Sequence, residues 1–183
     1  MKKKNCILIF TAILSLALLL LNCSDRDKPP FIKAEVTDAA GNTTVVNNFR
    51  LLYWWEERNE TPYLKPHTLY TKELIAVIMT PLDNNPKRVK ISTEKFPLPD
   101  LKSITILAGT TGYELSIKTK SGDKRSASNQ FPRSLKKDKD SGIADNLLYA
   151  YGKVMKNNRE DEFKKSFNIL KEIKILEVKT VKD

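Results

Sequence analysis

The chain has 183 residues, a formal net charge of +10 and two cysteines, Cys6 and Cys23. That length suits one domain or two small ones, and the cysteine count excludes a disulfide framework, so an exported domain of this sequence must be held by its core. The basic balance favours anionic headgroups or acidic partners, with an ordinary lysine-rich solvated surface as the alternative.

Met1-Lys2-Lys3-Lys4-Asn5 is a short basic segment, and the sixteen residues from Cys6 to Leu21 carry no charge. This apolar run fits the helical core of a signal peptide better than a spanning helix, which needs ~20 apolar residues. Leu20-Leu21-Asn22-Cys23 follows, and with it the segment resembles a bacterial lipoprotein precursor. Asn22 stands where the strict pattern has Gly, Ala or Ser, a looser box similar to those of spirochaete outer-membrane lipoproteins. The resemblance implies that residues 1–22 are removed and that Cys23 receives a thioether-linked diacylglyceryl group and an N-acyl chain such as palmitate. Two or three chains at ~0.8 kcal/mol per buried methylene suffice for stable anchoring. Removal of residues 1–22, with Lys2, Lys3 and Lys4, leaves 161 residues and a net charge of +7.

Residues 23–30 read as a lipidated tether, polar and ended by Pro29-Pro30. At ~3.5 Å per residue it holds the following domain within ~25 Å of a bilayer. Ser24 after the cysteine points, by the same resemblance, to the outer membrane.

From Phe31 the pattern is that of strands. Ile32, Ala34 and Val36 alternate with Lys33, Glu35 and Thr37, and Gly41-Asn42 supplies the turn into Thr43–Val46. A second hairpin follows, with Tyr113, Leu115 and Ile117 alternating with polar residues and Ser121-Gly122-Asp123 as its turn. Gly41-Asn42 matches Gly122-Asp123 at an offset of 81, Asn84-Asn85 matches Asn157-Asn158 at 73, and Leu101–Leu107 matches Leu170–Leu176 at 69. Three markers in the same order predict a duplication, residues 31–108 and 112–180, within a single domain 31–183. Phe163, Phe167, Leu170 and Lys174 have helical spacing, but the counterpart contains Pro97 and Pro99, so strand, tight turn and strand are expected in both copies. Leu74–Met79 predicts a central strand, residues 143–156 remain open between strand and helix, and Ile173–Val178 predicts a closing strand. The fold class is mainly β, an antiparallel β-sandwich or open barrel of two repeats with about five strands each.

The first copy is longer by eight residues between Phe49 and Leu74, where both tryptophans lie. Neighbouring strand residues face opposite ways, so one of Trp54 and Trp55 is expected to be exposed or covered by a loop. Tyr53, Trp54, Trp55, Arg58, Tyr63 and Lys65 form the candidate binding patch, since Trp, Tyr and Arg dominate protein interfaces. A membrane belt, a sugar platform or two buried rings are the alternatives. Lys136, Lys137 and Lys139 form a candidate basic patch.

Chemistry is sparse. His67, placed in a loop after Pro66, has no cysteine or second histidine with which to hold zinc. No Gly-x-Ser-x-Gly elbow or P-loop occurs. Glu56 and Glu57 point apart on a strand, and Asp138, Asp140 and Asp145 do not match a calcium loop, because Gly142 falls one position early. No enzyme activity, cofactor, metal, nucleic acid or small-molecule substrate is expected. The expected function is a membrane-anchored surface lipoprotein acting as a binding module. The resemblance implies an adhesin for host matrix proteins, plasminogen or complement regulators, with the basic patch as a further contact. The alternative is a periplasm-facing structural or assembly lipoprotein.

Overall fold

The computed structural model describes residues 30–58, 64–82, 85–109, 112–128, 130, 132–136 and 142–179. The expected signal segment, Cys23 and the expected tether as far as Pro29, and also Tyr63, Lys137, Asp138, Lys139 and Asp140, lie outside these described residues. Residues Phe31–Lys179 make one unit. Its strands are β1 (Phe31–Asp38), β2 (Thr43–Arg58), β3 (Leu64–Thr71), β4 (Glu73–Leu82), β5 (Asn85–Pro97), β6 (Leu101–Gly109), β7 (Gly112–Thr119), β8 (Lys124–Ser128), β9 (Gly142–Lys156), β10 (Arg159–Ser166) and β11 (Leu170–Lys179).

The alternating segments become the β1–β2 and β7–β8 hairpins, and their turns are built alike. Gly41 and Gly122 adopt φ of +90° and +100°, a region that costs any residue with a Cβ. The Gly41 N–H donates to the Asp38 carbonyl and the Gly122 N–H to the Thr119 carbonyl, at 3.0 and 3.2 Å. Asn157 and Asn158, at φ of 51° and 61°, form the two-residue turn between β9 and β10. Asparagine tolerates this left-handed backbone, which matches the strand twist of a tight hairpin. The turn settles residues 143–156 as strand rather than helix.

All the strands join in one open antiparallel sheet, ordered β10-β9-β2-β1-β11-β6-β7-β8-β4-β5, with β3 paired to β2 off this path. Exchanging β1 with β7, β2 with β8, β4 with β9, β5 with β10 and β6 with β11 reverses the order without changing it. The sheet therefore has a pseudo-twofold axis between β6 and β11. There Ile104 pairs with Ile173, its own counterpart at the offset of 69, while Ser103 pairs with Lys174 and Thr105 with Glu172. Hydrogen bonds across the axis repeat the relation. The Ala39 N–H donates to the Ile169 carbonyl at 2.9 Å, and the equivalent Lys120 N–H donates to the Asp100 carbonyl at 2.8 Å. Each copy turns from strand to strand through a short 3-10 segment, Leu98–Asp100 in one and Phe167–Ile169 in the other, as the prolines required.

Three placements differ from expectation. The Asn84-Asn85 marker is one residue out of phase, because Leu82 pairs with Asn85 as Lys156 pairs with Arg159. The predicted central strand, β4, is next to the edge, and the predicted closing strand, β11, lies beside the axis. Strand burial alone does not distinguish an edge from a centre when the sheet curls over its own core.

The core is one cluster that draws on both copies and includes Phe49, Leu51, Leu98, Leu101, Ile104, Phe167 and Ile173. β2 and β4 are far apart in the strand order, yet the Tyr53 hydroxyl donates to the Ile75 carbonyl at 2.9 Å and accepts from the Ile75 N–H at 2.7 Å. This clasp brings the two wings of the sheet together. Burial holds the Tyr53 phenol far above its ordinary pKa and pushes that of Tyr113 up to about 12.

Candidate functional site

Among the described residues β3 is the strand without a counterpart, and it lies in the stretch between Phe49 and Leu74 where the first copy is the longer. It lies on the outer half of β2, a strand of sixteen residues whose equivalent, β8, has five. The site is built on this asymmetric wing.

A bulge decides what each face carries. Asn48 takes a left-handed φ of 47°, and the β2–β9 register shifts between Asn47 and Arg50. One extra residue reverses the alternation that follows and so re-aims side chains. Val46 and then Phe49, Leu51, Tyr53, Trp55 and Glu57 are buried on the inner face, while Arg50, Trp54 and Glu56 are half-buried on the other.

On the inner face Trp55 is opposite His67, and their rings stack at 5.2 Å with an interplanar angle of 26°. The Trp55 Nε1–H donates to Glu57 Oε1 at 3.0 Å, and His67 Nε2 lies 3.7 Å from Glu57 Oε2. Both Glu57 and His67 are buried. The carboxylate is thus tied to an indole donor and faces an imidazole, a polar cluster sealed into the end of the core. His67 belongs to strand β3, not to a loop. Among the described residues no group of three His, Cys, Asp or Glu side chains is placed to hold a metal.

On the outer face the strands place rings side by side. Leu52 is flanked by Tyr70 of β3 and Tyr149 of β9, Trp54 by Thr68 and Leu147, and Arg50 by Tyr151. Tyr70 is half exposed. The Arg50 guanidinium lies 5.7 Å from the Tyr70 ring centroid and 5.6 Å from that of Tyr151, and the two rings meet edge to face at 5.0 Å. Lys164 Nζ sits 4.5 Å over Tyr149. The Tyr151 hydroxyl donates to Glu162 Oε2 at 3.0 Å, and this bond raises the phenol's pKa. Desolvation, and then repulsion from Arg50, lower the pKa of Lys72.

The predicted patch is therefore divided. Tyr53 and Trp55 are core residues, 2% and 3% exposed, and do not belong to a surface patch; the bulge turned their phase inward. Trp54 is on the outer face, and Arg58 and Lys65 are exposed near the end of the β2–β3 pair. Lys136 is half-buried and has interactions of its own, so it is not an isolated surface charge. The residues of the same outer face that were not anticipated are Arg50, Tyr70, Tyr149, Tyr151 and Lys164. Tyr149 and Tyr151, two apart on one strand, were the available signal, but only the β2–β9 register shows what they face.

Two open clefts of about 410 Å³ lie at equivalent places beside the two turns. One is lined by Ala39 and Leu170, the other by their counterparts Lys120 and Leu101. Neither gathers a set of convergent catalytic groups. Compared with protein-family models, curated proteins and solved structures, the chain matches none.

Proposed function

We propose that this protein is a lipid-anchored outer-membrane lipoprotein, displayed at the cell surface, that works as a protein-binding module of the adhesin type. Its contact surface is the outer face of β3, β2, β9 and β10. The observation that carries the reading is the concentration of Trp54, Tyr70, Tyr149, Tyr151, Arg50 and Lys164 on the wing that carries the added strand β3. These are the residue types that supply most of the energy in protein interfaces. A basic chain favours an acidic partner surface through long-range attraction. Host matrix proteins, plasminogen and complement regulators are the partners to assay first.

Three measurements test the parts separately. Mass analysis of the N-terminal peptide should find acyl mass on Cys23, and a free thiol there ends the lipoprotein reading. Protease applied to intact cells should remove the domain; survival until the outer membrane is permeabilised overturns surface display in favour of an envelope assembly role. Paired Tyr70→Ala and Tyr149→Ala replacement should weaken partner binding by about tenfold or more while the fold is retained. Unchanged binding by the folded variant moves the contact surface elsewhere.

A further inference from the structure

Arg50 is the cation on the outer wing whose surroundings are most out of balance. Its guanidinium lies against the Tyr70–Tyr151 pair, at 5.7 and 5.6 Å from the ring centroids. Its Nε is buried and has no hydrogen-bond partner, and among the described residues no carboxylate forms an ion pair with it. Buried donors of this kind normally have a partner, because an unsatisfied one loses its bonds to water without replacement. Cation–π contact holds the charge and leaves the in-plane donors unused. The Asn48 bulge faces this residue outward, so the arrangement depends on a built feature of the strand.

We propose that Arg50 is the anchor of a carboxylate-binding site and that its ligand is an aspartate or glutamate side chain of a partner protein. Nη1 and Nη2 are not sealed as Nε is, so a planar carboxylate meeting that edge of the guanidinium satisfies two donors at once. Glu162, fixed by the Tyr151 hydroxyl, adds one negative charge beside the same ring. That charge disfavours a doubly charged phosphate more than a singly charged carboxylate. The identity of the ligand as a protein side chain rests on the protein-binding reading above; the anion site itself does not.

The test uses the full-length chain in a zwitterionic detergent at low ionic strength. It is titrated with a capped oligoglutamate peptide, an oligoglutamine peptide of equal length, inorganic phosphate and a sulfated oligosaccharide. Oligoglutamate should shift the Arg50 Nε–H resonance, and oligoglutamine should not. Arg50→Gln should lower the oligoglutamate affinity by about tenfold or more, and Arg50→Lys should recover little of it, because the ammonium lacks the planar fork. The resonance shift needs no variant and decides the matter should both variants fail to fold. Equal binding by folded Arg50→Gln, an unmoved Arg50 resonance, or tighter binding of phosphate or sulfated sugar overturns the proposal. Carboxylate binding at Arg50 together with protection from protease on intact cells would retain the site and reject surface display. The reverse pair of results would reject the site alone.

Discussion

The two wings of the sheet occupy equivalent places on either side of the β6–β11 axis, and they have been put to different use. On one side β8 has five residues and touches β4 at a single register pair, Val77 with Ser128. On the other, β2 has sixteen, pairs with β9 along most of its length, and carries β3 on its far edge. The hairpins diverge as well. β4–β5 exposes Met79 opposite Ile91 and also Val89, whereas the end of β9–β10 carries Lys156, Arg159, Glu160 and Asp161. The halves agree where the backbone must turn or pack at the axis, and differ where it meets solvent. The scaffold is shared and the surface is not.

The comparison breaks most severely at the bulge. Deleting Asn48 should return β2 to unbroken alternation, turning Tyr53 and Trp55 outward and Arg50 and Trp54 inward, and loss of cooperative unfolding in circular dichroism is the expected result. Next come the two equivalent 3-10 segments. Phe167→Ala should cost about 3–5 kcal/mol and Leu98→Ala about 2–5 kcal/mol, both side chains being fully buried. If the halves share one core, each variant unfolds in a single denaturant transition, and two separate transitions would show independent copies. Tyr53→Phe removes the clasp between the wings and orphans the Ile75 N–H and carbonyl, at a cost of about 2–4 kcal/mol by chemical denaturation. Gly41→Ala and Gly122→Ala should each cost about 1–2 kcal/mol, and similar penalties would sharpen the equivalence of the turns.

The smallest effect separates those turns by pH. Lys165, and then the Asn42 N–H, hold the Asp38 carboxyl below its ordinary pKa, whereas the equivalent position is Thr119. A carboxylate with a depressed folded pKa contributes stability that is complete above the unfolded value of about 4 and is lost as the pH falls through the folded one. Asp38→Asn should flatten the stability profile in that acid range by lowering stability at neutral pH, where the carboxylate's contribution is complete, and should change it least at the lowest pH, as read from urea midpoints against pH.

Much of the scaffold could be read from local chemistry. Alternation marked β1 and β7, Gly41-Asn42 and Gly122-Asp123 marked their turns, and Pro97 and Pro99 ruled out a helix that Phe163, Phe167 and Leu170 would have allowed. These signals act over a few residues. The length difference between copies marked the stretch that holds the extra strand, but that stretch was expected to be a loop, because nothing local in Pro62 to Thr68 signals a strand. The outer face was less accessible. Arg50 meets Tyr151 about a hundred residues away only through the β2–β9 register, and that register depends on a single left-handed asparagine. Unbroken alternation from the buried Val46 would put Trp54 inward and Trp55 outward, the reverse of their actual placement. Asn47-Asn48, a pair suited to positive φ, was the clue.

The Ile104–Ile173 pairing carries a further consequence. A residue that faces its own counterpart across a twofold axis is the signature of an isologous contact, the kind that joins two identical subunits. A chain of half this length could meet a second copy edge to edge along β6 in the same way, and every substitution near that axis would then be made twice. Joined through the β6–β7 hairpin, the two halves are released from that obligation, and one of them can acquire a bulge, a longer strand and a tyrosine-flanked arginine while the other keeps the original plan.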